Sequence, residues 1–414
     1  MENERIFNES KRYMPSGGDS SLRAYREIGM TPPIIKSGKG VKIIDEDGNE
    51  YIDFELAYGS LFLGHCNDKV IKAIKDTAEK SIAFSSLTNL ELEMGKFLCE
   101  HISNVDMVRM VNSRFEADMN VIKLARNYTK RDKIVRFLGC NEGYYDEVLE
   151  ENIFECSEKT KNTLISVYND EKHIAKLFKK YGDEIAAVII EPVATSMGVV
   201  KANDSFMQLV RTLCNRYGAL LIFDEAISGF RASFTGAKTL FNVVPDLVIY
   251  SNVMGAGFPC GAYGGKKQIM QHVLSLDKEY TMPKNPIAIA AGIAELNELY
   301  DHPEYYNHIE RIGKKLVDGL MKISYKYNIP IKINRVGSML TIFFSEEDVD
   351  SYKKVENCNM DRFKRYFEHM IKSGIYIPTS QFQTLFLSTE HNITHVYKFV
   401  KAFEEFAKKE MNIS

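Results

Sequence analysis

Short apolar runs alternating with helical periodicity constrain this chain more than any other feature. Residues 133–137, 186–190, 219–223 and 247–250 are predominantly apolar runs, and helical spacing fills residues 90–101, 115–128 and 205–217. A strand covered on both faces reads as a nearly unbroken apolar run, and helices on both faces of a parallel sheet supply that cover. The predicted fold class is therefore α/β: a large domain with a mainly parallel central sheet over residues 56–300, plus a smaller α+β domain over residues 301–414. The N-terminal segment, residues 1–55, is expected to pack with the small domain. It carries two strand-like runs joined by Asp47-Gly48, a turn pair that accepts positive φ, and Val70, Ile71, Ile74 and Ala78 follow at helical spacing.

Each of three runs ends in polar residues: Glu191 before Pro192, Asp224-Glu225 and Ser251-Asn252. In an open α/β sheet ligands sit outside the carboxyl ends of the strands, so these residues are candidates to line one crevice. On spacing alone, the alternative that they merely begin solvated loops stays open.

Composition excludes several classes. With 53 Lys+Arg against 56 Asp+Glu, a net charge of -3 provides no attraction to nucleic acid or an anionic membrane. No run reaches the roughly 18 apolar residues of a membrane span, and the N-terminus is too charged for a signal peptide, so a cytoplasmic protein is expected. The seven cysteines are scattered with no CxxC pair, and the nine histidines show no ligand spacing, so neither a disulfide framework nor a metal site is expected.

Ordered blocks along nearly the whole chain carry a resemblance. They include Thr31-Pro-Pro33, Leu63-Gly-His65, Lys123-Leu-Ala-Arg126, Leu221-Ile-Phe-Asp-Glu225, Gly229-Phe-Arg231, Gly261-Ala-Tyr-Gly-Gly265 and Ser380-Gln-Phe382. In these the chain resembles the fold-type I, class III pyridoxal-phosphate aminotransferases, and most closely their aminomutase branch. The resemblance implies a lysine at position 252, where the family holds its cofactor as an imine; here the residue is Asn252. An amide forms no such bond, and it cannot shuttle the proton that the lysine moves as general base.

The resemblance assigns further positions. Asp224 matches the aspartate that pairs with the pyridine nitrogen and keeps the ring an electron sink. Ser113, Arg114 and Phe115 match the start of a serine-glycine-threonine-glutamate-alanine turn that holds the cofactor phosphate at a helix N-terminus. Arginine and phenylalanine thus replace the glycine and the threonine: the phenylalanine removes a hydroxyl donor and both fill space left for the phosphate, while whether Arg114 closes the phosphate cup or replaces a missing charge stays open. Asn141 stands where an aromatic residue stacks on the ring, followed by Glu142 in place of histidine. Thr281 matches a threonine that reaches the neighbouring subunit's phosphate. Ser20 and Arg23 match substrate-contacting positions, with a solvated N-terminal segment as the plain alternative, and Gln383 replaces a glutamate of the aminomutase branch.

Three roles are left open. One is a degenerate member that does not transaminate and serves as a regulatory or partner subunit, as a homodimer or as a heterodimer with a lysine-containing paralogue. Another is a lysine-independent enzyme whose crevice, lined by Arg114, Glu142, Asp224 and Asn252, takes noncovalent pyridoxamine or pyridoxal phosphate, or another small phosphorylated or carboxylated ligand. The third is residual transaminase or aminomutase activity. No covalently held cofactor is expected; pyridoxal or pyridoxamine phosphate would bind only noncovalently.

Overall fold

A computed structural model of the chain describes residues 1–20, 22–140, 162–276 and 285–411. It forms two compact units: Asp68–Pro303 with Asp350–Lys354, and Met1–Asn67 with Glu304–Val349 and Val355–Ser414.

The first unit is built on a seven-stranded sheet. Its strands are β1 (Met107–Val111), β2 (Lys133–Phe137), β3 (Thr163–Ser166), β4 (Ile185–Ile190), β5 (Leu220–Glu225), β6 (Leu247–Tyr250) and β7 (Gly261–Gly265). Their spatial order is β1-β7-β6-β5-β4-β2-β3. The pairs β3·β2, β2·β4, β4·β5 and β5·β6 are parallel, and β7 runs antiparallel to both of its neighbours. The expected mainly parallel sheet is found, with strands that periodicity did not mark: β1, β3 and β7. The glycine-rich β7 has little β-propensity of its own. It fits because a Cβ at Gly261 would stand 2.8 Å from the Ser113 carbonyl oxygen, so only glycine lets that strand approach the next helix.

That helix, α1 (Arg114–Thr129), follows β1 directly. The Ser113 hydroxyl caps it by accepting the Glu116 N–H at 3.1 Å, and the Glu116 carboxylate accepts the Asn112 N–H at 2.7 Å. The first bond satisfies a donor that a helix start leaves orphaned, and the second ties the incoming chain to the first turn. Ala117, Val121, Leu124 and Ala125 are fully buried at helical spacing and join Ile134, Ala187, Ile222 and Ile249 in one core. Burying a side chain of the Val/Leu/Ile size contributes about 1.5–3 kcal/mol, so this face anchors α1 firmly. On α2 (Asp204–Tyr217), Phe206 packs on Phe137 and Tyr168 with ring centroids 5.6 and 5.9 Å away.

At the amino ends of β5 and β6, the buried Asp246 carboxylate accepts the Leu221 N–H at 2.9 Å, Arg211 of α2 at 2.8 Å and Lys266 at 2.6 Å. Burial would raise the Asp246 pKa; the Leu221 N–H, Lys266 and Arg211 outweigh it and hold it below its usual value. One carboxylate thus sets two strands and a helix in register.

The second unit contains a sheet of Ile35–Lys39, Lys42–Asp45 and Glu50–Asp53, which Ile375–Tyr376 joins in parallel. The expected turn lies between the latter two hairpin strands, with Gly48 at φ 84°; Ile35–Lys39 is an additional strand. A three-stranded antiparallel sheet, Lys332–Val336, Met339–Phe343 and Leu385–Phe386, lies among the helices Glu304–Tyr327, Met360–Lys372 and Ile393–Glu410. Among the described residues, no helix is long and apolar enough to cross a membrane.

Candidate functional site

Register brings the polar strand ends together. Phe223 of β5 pairs with Ile190 of β4 and Asp224 pairs with Ile249 of β6, so Glu191, Asp224 and Ser251-Asn252 terminate three adjacent parallel strands at one edge. At its carboxyl end β1 reaches the same edge through its pairing with β7, with Val111 opposite Gly261, and delivers Ser113 and Arg114. The strand ends expected to converge therefore lie at one edge within a single unit.

Arg114 dominates its centre. Its Nε donates to Asp224 Oδ2 at 3.1 Å, its Nη2 donates to the same oxygen, and Nη2 lies 3.5 Å from Glu191 Oε1. The side chain is 12% exposed, against 5% for each carboxylate, so the ion pairs are screened little by solvent. Burial alone would lower the guanidinium pKa; the charges of Asp224 and Glu191 and the hydrogen bond to Asp224 outweigh that and raise it.

Both carboxylates are engaged on their remaining oxygens. Asp224 Oδ1 accepts the Ala226 N–H at 3.0 Å, and Glu191 Oε2 accepts the N–H and hydroxyl of Thr195 at 3.0 and 3.1 Å. The Tyr168 hydroxyl donates to the Glu191 carbonyl at 2.8 Å. Burial, and after it the Glu191 charge, push the Cys140 thiol well above its ordinary pKa, so it is a neutral neighbour of the cluster. Glu191 and Cys140 were not assigned to a site from sequence, although Glu191 was visible as a strand end.

Asn252 follows β6 with φ 48°, a left-handed conformation that asparagine adopts more readily than most residues. The lysines nearest to it along the chain are committed elsewhere. Lys238 Nζ donates to the carbonyl and hydroxyl of Ser103 at 2.6 and 2.8 Å, and Lys266 Nζ to Asp246.

The other predicted residues lie as follows. Ser113 is the α1 cap, and Phe115 in its first turn is 46% exposed. Asn141, Glu142 and Thr281 lie outside the described residues. Ser20, Arg23 and Gln383 belong to the second unit. There the Ser20 carbonyl accepts the Ala24 N–H at 3.0 Å, Arg23 is exposed, and the Gln383 side-chain oxygen accepts the Thr379 hydroxyl at 3.1 Å. Among the described residues, no group of His, Cys, Asp and Glu is arranged to hold a metal ion.

A cofactor of the pyridoxal class would need a phosphate cradle at the start of α1 and an acceptor on Asp224 for its ring nitrogen. In this arrangement the residues do not fit it: Arg114 leaves the first place and takes the second. Nor does any atom of Arg114, Glu191 or Asp224 stand buried without a hydrogen-bond partner, as a carboxylate awaiting a ring nitrogen would.

A mainly parallel seven-stranded sheet, with an aspartate at a central strand end beside a capped helix start, defines the fold-type I class of aminotransferase architecture. The sequence model described as Aminotransferase class-III matches residues 24–403, and the chain belongs to that family. It is 53% identical over 430 residues to the glutamate-1-semialdehyde 2,1-aminomutase of Clostridium beijerinckii, with 100% of both chains covered. To the enzyme of the same name from Clostridium perfringens strain 13 it is 52% identical over 420 residues, covering 98% of this chain and 99% of that one. Among solved structures, an omega-transaminase from Sphaerobacter thermophilus superposes with a TM-score of 0.90 at 27% identity, covering 98% and 97% of the two chains.

Proposed function

We propose that the chain is a class III aminotransferase-fold protein that does not transaminate and acts as a regulatory or partner subunit. The observation that carries this reading is Asn252 at the end of β6, beside the strand that bears Asp224, with the lysines nearest in the chain committed to Ser103 and Asp246. Without an amine at that position there is neither a nucleophile for a carbonyl nor a base poised over a substrate carbon. The family builds its sites between two subunits, which makes a lysine-containing paralogue the natural partner, and a second copy of this chain the alternative.

The test is the ultraviolet-visible spectrum of the purified protein after incubation with pyridoxal phosphate. No new band, and no lysine labelled after borohydride reduction, is the expected result. A stable band that borohydride fixes onto a lysine would overturn the reading.

The name carried by relatives 53% and 52% identical favours a second reading, in which aminomutase activity persists through other residues. Isomerisation of glutamate-1-semialdehyde by the purified chain, faster than by free cofactor, would establish it.

A further inference from the structure

The two ends of the cofactor site implied by the family resemblance are, in this chain, joined by one side chain. Arg114 starts at the N-terminus of α1, where the phosphate would rest, and ends on Asp224, where the ring nitrogen would be held. It brings a delocalised, planar cation with fixed N–H donors to a buried carboxylate, which is also what a protonated pyridine ring brings. Its single charge is shared by the Asp224 and Glu191 carboxylates, whose other oxygens are held by Ala226 and Thr195.

We propose that Arg114 is a built-in occupant of the cofactor slot, a side chain that substitutes for the pyridinium ring, keeps the strand ends in register, and excludes pyridoxal and pyridoxamine phosphates. Exclusion follows from geometry and charge together. A ring nitrogen would have to displace the guanidinium from Asp224, and the displaced cation would leave the buried Glu191 carboxylate without its partner, which low-dielectric surroundings penalise. Phe115, 46% exposed in the same first turn, adds an apolar side chain where a phosphate would need donors. Aminomutase-like chemistry is thereby blocked at a second point that the loss of lysine does not account for.

Pyridoxamine phosphate separates this proposal from the proposed function, because it carries an amine in place of the aldehyde and needs no lysine to bind. Retention of pyridoxamine phosphate after gel filtration, together with the shift it causes in Tm, is measured on the wild-type chain, Asn252→Lys, and the double variant Arg114→Gly with Phe115→Thr. The wild type and Asn252→Lys are expected to retain none and to show no Tm shift. The double variant is expected to retain about one molecule per chain and to be stabilised by it. If circular dichroism shows the double variant unfolded, Arg114→Ala with Phe115→Thr, which also empties both places but restores helix propensity, takes its place with the same expectation. Wild-type retention equal to that of the variant overturns the proposal, as does a folded variant that retains none. Neither result bears on whether a lysine is labelled, which tests the function itself.

Discussion

Arg114 belongs by its backbone to a helix and by its charge to a strand 110 residues away. Its substitution by methionine keeps helix propensity and length while leaving Asp224 and Glu191 buried without their cation. Breaking a buried pair in this way costs roughly 3–5 kcal/mol, so Arg114→Met should lower the denaturant midpoint with little change in m-value. Adding Asp224→Asn removes one of the stranded charges and should recover part of the loss, a coupling that a double-mutant cycle reads directly. Additive losses would show that the pair does not hold the site together. From sequence alone Arg114 was ambiguous between closing a phosphate cup and supplying a missing charge. Only the pairing of strands far apart in the chain brings it to Asp224, and no local periodicity encodes that. Asn252, by contrast, was legible as an amide at a strand end without any structure.

Among the elements, β5 and β6 carry the site at their carboxyl ends and are tied at their amino ends by Asp246. Its pKa is depressed in the folded chain, so its stabilisation is present above the ordinary aspartate value, about 3.9, and is lost as pH falls through the folded value. Asp246→Asn should therefore cost roughly 3 kcal/mol at neutral pH, with the Lys266 side contributing least because that lysine is 42% exposed. The wild-type and variant unfolding curves should converge toward acid pH; parallel curves down to pH 2 would remove the carboxylate from the explanation. The strands most visible in the sequence were β4, β5 and β6, since each is an apolar run buried along its length. β7 escaped because its residues are small and its place is set by close approach to Ser113, a tertiary requirement. β1 is fully buried only over Met110 and Val111, and β3 has only Leu164 and Ile165 as apolar residues, so neither stood out as an apolar run.

For the molecule as a whole, the resemblance was spread over many blocks, so the family could be read before the fold was known; the wiring of the site could not. A class III chain acting as a partner subunit should associate with a lysine-bearing member of its family. Sedimentation of the two chains mixed after separate purification should show a mixed species, and the lysine-bearing enzyme's rate should change in proportion to it. Independent sedimentation with an unchanged rate would leave the regulatory role without support. On the proposal that Arg114 occupies the cofactor slot, a lysine at position 252 alone gains nothing while the slot is filled, and replacing Arg114 first leaves Asp224 and Glu191 buried without their cation. On that reading neither single step is rewarded, and the site behaves as a ratchet in which positions 114 and 252 can only be exchanged together.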